Sequence, residues 1–328
     1  MIAKARIVGT GSCVPKKVLT NKDLENMIDT SDEWITTRTG IKQRHIAQEG
    51  ENNSDLAISA SKKALEMAGI KGKDLDLIIV GTLTPDMPMP SVACLVQDAL
   101  GAINAGAVDI SATCSGFLYS LSMADKFVRL DPNMKVLVIG SEVLSRRTNW
   151  QDRTTCVLFG DGAGAAVVTG SNDEKRGIIS THLHADGSVW ELLTIRGLGT
   201  AHPVNEEILS KGWQYIEMQG RDVFKHAVRA LESVTNEAMV AAGWQNEDLD
   251  LLIAHQANIR ILEYLRERLK LPKDKVFINI HKYGNTSAAS IPIALDEANR
   301  SGKLKEGDNV LMISFGGGFT WAGVTMSW

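Results

Sequence analysis

The 328-residue chain is poor in aromatics, 5% of its residues, and has no surplus of positive charge. Its 35 Lys and Arg stand against 39 Asp and Glu, for a net charge of −4. A nucleic-acid surface needs a basic excess and rings on which bases stack, so no nucleic-acid partner is expected. Long apolar runs are missing too. No uncharged stretch reaches the roughly 18 residues that a membrane span needs, and the opening MIAKARIVG holds no signal-peptide core. Cysteine is scarce, and Cys13, Cys94, Cys114 and Cys156 form no C-x-x-C pair and have no histidine at metal-ligand spacing. No metal site and no membrane partner are expected, and thiols without a secretory signal read as reduced, in a soluble cytoplasmic protein. The length allows one large domain or two ordinary ones, with a core that needs no staple.

Short β-branched runs alternate with helical patterns along the chain. Residues 75–81 (LDLIIVG), 107–111 (AVDIS) and 135–140 (KVLVIG) read as strands buried on both faces, which implies helices covering a largely parallel sheet. Residues 54–67 and 116–128 read as helices, the second with Phe117, Leu121, Ala124 and Val128 on one face. The fold class is α/β.

A repeat underlies this order. ALEMAGIKGKDLDLIIV, from Ala64, and AMVAAGWQNEDLDLLIA, from Ala238, are identical at eight positions at an offset of 174 residues. Residues 135–139 and 309–313 match at the same offset. A long period used once implies two copies of one α/β unit rather than a solenoid. The polar stretch 170–176 is the natural seam, dividing the chain into halves 1–171 and 172–328 with a site between them.

Three residues stand at places where α/β units put chemistry. Cys114 lies where a strand gives way to a helix, and unpaired N–H groups and the macrodipole at a helix start favour a thiolate. His255 follows a strand end at 251–254 and maps, at the repeat offset, onto Gly81. Asn285 follows an expected strand at 277–280 and precedes another helix, so its amide could face a developing negative oxygen. Each also has a plainer explanation: a buried structural cysteine, a satisfied core histidine, a helix cap.

The glycine-rich loops carry no nucleotide signature. Gly160 to Gly164 runs into a strand, not a helix, and lacks the Lys-Ser/Thr of a phosphate loop. Gly9 and Gly11 have Val14 where a third glycine would stand. The triple Gly316 to Gly318 permits close approach of another backbone or a ligand.

Together the segments DISATCSGF at Cys114, HQANIR at His255, YGNTSAAS at Asn285 and GGGFTW from Gly316 resemble the β-ketoacyl-acyl carrier protein synthase III family. SDEWITTRTGI from Ser31 and FGDGAGAA from Phe159 extend the likeness over nearly the whole chain. The resemblance implies a thiolase-like fold, two duplicated halves in five αβαβα layers. It implies the initiating condensation of fatty acid synthesis, from an acyl-CoA primer (acetyl-CoA foremost) and malonyl-acyl carrier protein, releasing CoA and carbon dioxide. By the same likeness Cys114 is the acylated nucleophile, His255 and Asn285 stabilise an enolate, and the N–H groups of Cys114 and Gly318 form an oxyanion hole. Trp34, Arg38, Arg153 and Asn258 hold CoA, and Gln256, Ala257, Asn258, Ile259 and Arg260 meet the carrier protein. Met89 reaches across a homodimer into the partner's acyl pocket. No cofactor is implied, since CoA enters as a substrate thioester. Thr113 stands where the family more often has alanine, and 196–213 is longer than in many relatives.

Alternatives remain. A same-fold starter enzyme of quinolone or polyketide synthesis would share the three residues and take another primer. A thiolase would carry a second cysteine near its carboxy end, and none follows Cys156. A non-catalytic acyl-CoA-binding protein would have no need of all three residues.

Overall fold

The computed structural model describes residues 4–328 apart from Asn172 and Glu174, so the seam at 171/172 adjoins residues outside the description. A five-stranded sheet contains β1 (Ala5–Cys13), β2 (Leu77–Gly81), β3 (Gly106–Ile110), β4 (Val136–Glu142) and β5 (Gly162–Gly170), in the order β1-β5-β4-β2-β3. A four-stranded sheet contains β6 (Gly177–Ala185), β7 (Leu251–Ala254), β8 (Asn309–Gly316) and β9 (Thr320–Ser327), in the order β7-β8-β9-β6. The second order repeats the first: β6, β9, β8 and β7 take the parts of β1, β5, β4 and β2. Where β3 would be matched there is a single parallel bridge from Leu252 to Val276.

The layers follow from period-2 burial. Ile79 and Val138 face inward, onto the buried helices Gly116–Leu130 and Ser290–Arg300 that separate the two sheets. Ile78, Val80, Leu137 and Ile139 face outward, under the helix Asn53–Ala68 through Leu56, Ala57, Ala60 and Ala64. On the far side, Leu252, Ala254, Leu311 and Ile313 lie under the helices Gly220–Ala242 and Ile259–Arg268. Helix, sheet, helix pair, sheet and helix make the five layers that the resemblance implies.

Three expectations need correction. The sheets are mixed rather than largely parallel, because β5 and β9 return antiparallel to β4 and β8 and then pair antiparallel with β1 and β6. The strand at 107–111 is not buried on both faces: β3 is a sheet edge, and Val108 is 41% exposed. Residues 277–280 make no strand, since after the bridge at Val276 the chain winds into the short helix Ile280–Tyr283. Among the described residues no helix is long and apolar enough to cross a membrane.

Candidate active site

After β3 the chain turns through the 3-10 segment Thr113–Ser115 into the helix Gly116–Leu130, which sets Cys114 at the helix start. Thr113 holds a φ of 46°, a strained value for a β-branched residue. Its hydroxyl compensates by donating to the Gly317 carbonyl at 3.0 Å. Ser115 Oγ donates to Thr320 O at 3.1 Å, and Thr320 Oγ1 donates back to Ala112 O at 2.9 Å. The nucleophile corner of one half is thereby tied to the glycine turn of the other. Gly316 has to be glycine there, because a Cβ would lie 2.3 Å from Thr113 Oγ1 and 2.7 Å from Cys114 N.

The expected thiolate is not the resting form. Burial pushes the Cys114 thiol up to about 12, the nearby Glu142 carboxylate adds to the rise, and a hydrogen bond with Ser287 only partly opposes it. In a closed site desolvation outweighs the helix dipole, so Cys114 rests as a neutral thiol.

His255 sits at the end of β7 and is 5% exposed. Its backbone N–H donates to Ile313 O at 2.8 Å, and its Nδ1 lies 2.6 Å from Ser290 Oγ. Burial lowers the imidazole to about 3, leaving it neutral. Ser290 Oγ also faces the Gln256 N–H at 3.4 Å, so the serine proton is directed to Nδ1. That arrangement assigns the ring proton to Nε2, which becomes a donor.

Asn285 is fixed just as firmly. Its N–H donates to Leu158 O at 2.8 Å, its carbonyl accepts from Gly160 N–H at 3.0 Å, and its Oδ1 accepts from Ser287 N–H at 2.9 Å. With Oδ1 engaged, Nδ2 is left to donate into the site. The Leu158–Gly160 loop is in turn anchored by the fully buried Arg44, which donates to Val157 O at 2.7 Å and to Asn21 Oδ1 at 2.9 Å.

Cys114, Thr113, Ser287, Gly317 and Gly318 line one cavity of about 420 Å³, closed by apolar side chains that include Leu144, Phe159, Leu193, Ile195 and Ile216. The extended 196–213 segment does not cross this cavity. It leaves and rejoins through the ribbon Leu193–Thr194 with Glu217–Met218, and its flanks supply Ile195 and Ile216 to the wall.

The remaining expected residues divide. Trp34 is half-buried at the surface, with the guanidinium carbons of Arg38 and Arg153 each 4.9 Å from its ring centroid. Asn258 caps the helix Ile259–Arg268, its Oδ1 accepting from Arg260 N–H at 2.9 Å. Gln256 cannot meet a carrier protein: it is 1% exposed and bonds Ala254 O, Phe277 O, Asn279 N and Ile280 N. Ala257, Asn258 and Ile259 are half-buried, Arg260 is exposed, and Met89 is 83% exposed. Sequence reasoning missed Glu142, Ser287, Ser290 and Arg44. For the two serines the repeat held a signal, since they stand 174 positions after Thr113 and Gly116.

A family model described as 3-oxoacyl-[acyl-carrier-protein (ACP)] synthase III matches residues 108–187, and the model of that family's C-terminal part matches 239–328. A curated β-ketoacyl-[acyl-carrier-protein] synthase III of Caldanaerobacter subterraneus is 55% identical over 99% of this chain and 98% of its own length. The crystal structure of 3-oxoacyl-[acyl-carrier-protein] synthase III from Aquifex aeolicus matches with a TM-score of 0.92 and 52% identity, covering 99% of this chain and 100% of that one. A priming β-ketosynthase of a polyketide pathway matches with a TM-score of 0.92 and 36% identity, over 99% and 96% of the two chains.

Proposed function

The chain belongs to the 3-oxoacyl-[acyl-carrier-protein] synthase III family, condensing acyltransferases that initiate fatty acid synthesis, and from that premise we propose that it transfers a short acyl group from acyl-CoA, acetyl-CoA foremost, to malonyl-acyl carrier protein through an acyl-Cys114 intermediate. The observation that carries this reading is the apolar cavity with the Cys114 thiol in its wall, beside the Ser287 turn that orients Asn285.

In the first half-reaction Cys114 Sγ attacks the acyl thioester and CoA departs. The N–H groups of Cys114 and Gly318 face the developing oxyanion, where losing one such donor typically costs about a hundred- to a thousand-fold. Malonyl-acyl carrier protein then binds, and a neutral, water-poor site disfavours its carboxylate and favours loss of carbon dioxide. His255 Nε2–H and Asn285 Nδ2–H donate to the enolate oxygen left behind. The carbanion attacks the acyl-Cys114 carbonyl, giving the 3-oxoacyl product and regenerating the thiol.

CoA is a substrate in this scheme and no resident cofactor is invoked. Trp34, with Arg38 and Arg153, receives its adenine and phosphates, and Asn258 lies along the pantetheine. The edge strand β3, with Val108 and Met89 exposed, suits pairing with a second copy as a homodimer. Substrates of this kind put the reaction in the cytoplasm.

The polyketide priming synthase of the same architecture keeps a second primer class open. A panel of acetyl-, branched, longer and aroyl-CoA primers with malonyl-carrier protein, products resolved by mass, tests both. Turnover with acetyl-CoA to the 3-oxobutanoyl carrier supports the proposal. Turnover restricted to aroyl or long primers would replace it with the starter-enzyme reading.

A further inference from the structure

Resting on the acyl-Cys114 reading, we propose that Ser287 and Glu142 form a proton relay behind the nucleophile. As Cys114 Sγ bonds to the acyl carbonyl carbon, its proton passes to Ser287 Oγ, and the serine's own proton passes to Glu142 Oε1. Glu142 acts on the sulfur only through Ser287 and positions the relay. The bond from carbonyl carbon to CoA sulfur breaks, and the CoA thiolate leaves. The proton then returns from Glu142 through Ser287 to that thiolate, so free CoA and acyl-Cys114 are the only net products.

The hydrogen-bond directions around Glu142 support this. Its carboxyl is fully buried at the end of β4. Oε1 accepts from Ser287 Oγ at 3.2 Å and from Leu83 N–H at 3.3 Å. Oε2 accepts from Leu83 N–H at 3.2 Å, from Thr82 Oγ1 at 3.3 Å and from Thr84 Oγ1. The two threonine oxygens are themselves receivers: Thr82 Oγ1 takes the Thr84 N–H at 3.1 Å, and Thr84 Oγ1 takes the Val143 N–H at 2.9 Å. Asn53 Nδ2 donates to both, at 3.0 and 3.3 Å. Their protons therefore point at Glu142, and the network is oriented around an acceptor, the ionised carboxylate. Ser287 donates to that acceptor with one face and meets the Cys114 thiol with the other.

The duplication shows that this acid is an addition to the basic fold. The position 174 residues after Glu142 is Gly316, and the position 174 before Ser287 is Thr113. Gly316 and Thr113 touch in one half just as Glu142 and Ser287 do in the other, but without a carboxyl. Only the half that faces the Cys114 sulfur through residue 287 has the acid.

Glu142 is also the better proton acceptor of the two buried candidates. Burial raises its carboxyl to about 7, whereas His255 is held near 3. A base works best when its affinity for the proton matches the working pH. Among the described residues, Thr82, Leu83, Thr84 and Ser287 surround the carboxyl without titrating, and Cys114 is the titratable group coupled to it.

The test is single-turnover acylation of the full-length enzyme by acetyl-CoA, read by mass at Cys114 across about pH 5 to 9. The wild type should speed up through an inflection near the Glu142 value of about 7. Glu142→Gln should still label Cys114 to completion but about a hundredfold more slowly at the alkaline end, with that inflection gone. Ser287→Ala, which leaves the carboxyl in place, should repeat both effects. Wild-type rates and an unchanged pH profile in folded Glu142→Gln or Ser287→Ala would overturn the relay while leaving the acyl-enzyme intact. A wild type that labels elsewhere than Cys114 would overturn the acyl-enzyme reading and the relay with it.

Discussion

His255 and Ser290 form a hydrogen-bonded pair, Nδ1 to Oγ at 2.6 Å, and their counterparts 174 residues earlier, Gly81 and Gly116, touch backbone to backbone. A Cβ on Gly81 would lie 2.5 Å from the Gly116 carbonyl carbon. One contact of the duplicated unit is thus a bare packing point in the first half and an oriented imidazole in the second. Cys114 has the reverse fate, since its counterpart is Ala288. Each half supplies what the other lacks, which is why one site forms and not two.

The pair leads to a first prediction. With Ser290→Ala the proton on the ring is no longer steered to Nε2, so condensation should fall at least tenfold while acylation of Cys114 by acetyl-CoA persists. Because His255 stays neutral down to about 3, the condensation rate should show no inflection at the ordinary imidazole value of 6.5. Rapid-quench measurement of each half-reaction against pH checks both statements.

Asn285 permits a sharper separation. In Asn285→Asp one carboxylate oxygen can still accept the Ser287 N–H, so the loop keeps its shape, but the donor is lost. Decarboxylation of the malonyl carrier should drop by about a hundred- to a thousand-fold, with acylation much less affected. Equal loss of both steps would mean that Asn285 holds the site together and is no step-specific donor.

The raised Glu142 carboxyl also bears on stability. A carboxyl whose folded value is above its unfolded one stabilises the fold below the unfolded value and loses that contribution as pH rises through the folded value. Between 4.5 and about 7 this group should therefore remove about 3 kcal/mol of stability. His255, lowered from 6.5 to about 3, acts in the opposite sense over an overlapping window, so the difference between variants is the informative quantity. Urea unfolding should show Glu142→Gln gaining on the wild type as pH rises from about 4 to 8. A constant difference across that range would contradict the raised value.

For the carrier protein, charge singles out Arg260. Of the basic residues on the two neighbouring helices, Lys225 pairs with Asp222, Arg266 with Glu263 and Glu267, and Arg268 with Glu232. Arg260, Arg229 and Lys270 have no carboxylate partner among the described residues, and Arg260 begins the helix that follows His255. Acyl carrier proteins are acidic as a class, so Arg260→Glu should raise the KM for malonyl-carrier protein several-fold, chiefly through slower, salt-sensitive association. Kinetics with malonyl-CoA, which lacks the carrier, should change much less. Equal damage to both would make Arg260 structural or CoA-facing.

What could be read from the sequence is what local order encodes. The helix at Gly116, the strand end before His255 and the repeat offset all depend on residues close in sequence, and the repeat already implied two halves of one design. The edge position of β3 was not legible, because AVDIS has the composition of a buried strand and only the absence of a neighbour exposes it. Gln256 looked like part of a docking surface for a similar reason: its four partners come from 254, 277, 279 and 280, distances no motif displays. The neutral thiol was missed because dipole and helix start are local, whereas desolvation comes from the surrounding walls.

The central claim is that this chain condenses through an acyl group on Cys114. Intact-protein and peptide mass measurement after brief exposure to acetyl-CoA tests it most directly, on the wild type, Cys114→Ala and Cys156→Ala. One acetyl group should appear on the Cys114 peptide of the wild type and of Cys156→Ala, and disappear on addition of malonyl-carrier protein as the 3-oxoacyl product forms. Cys114→Ala should take up none. Acetylation that survives Cys114→Ala, or product formed by that variant at the wild-type rate, would contradict the account.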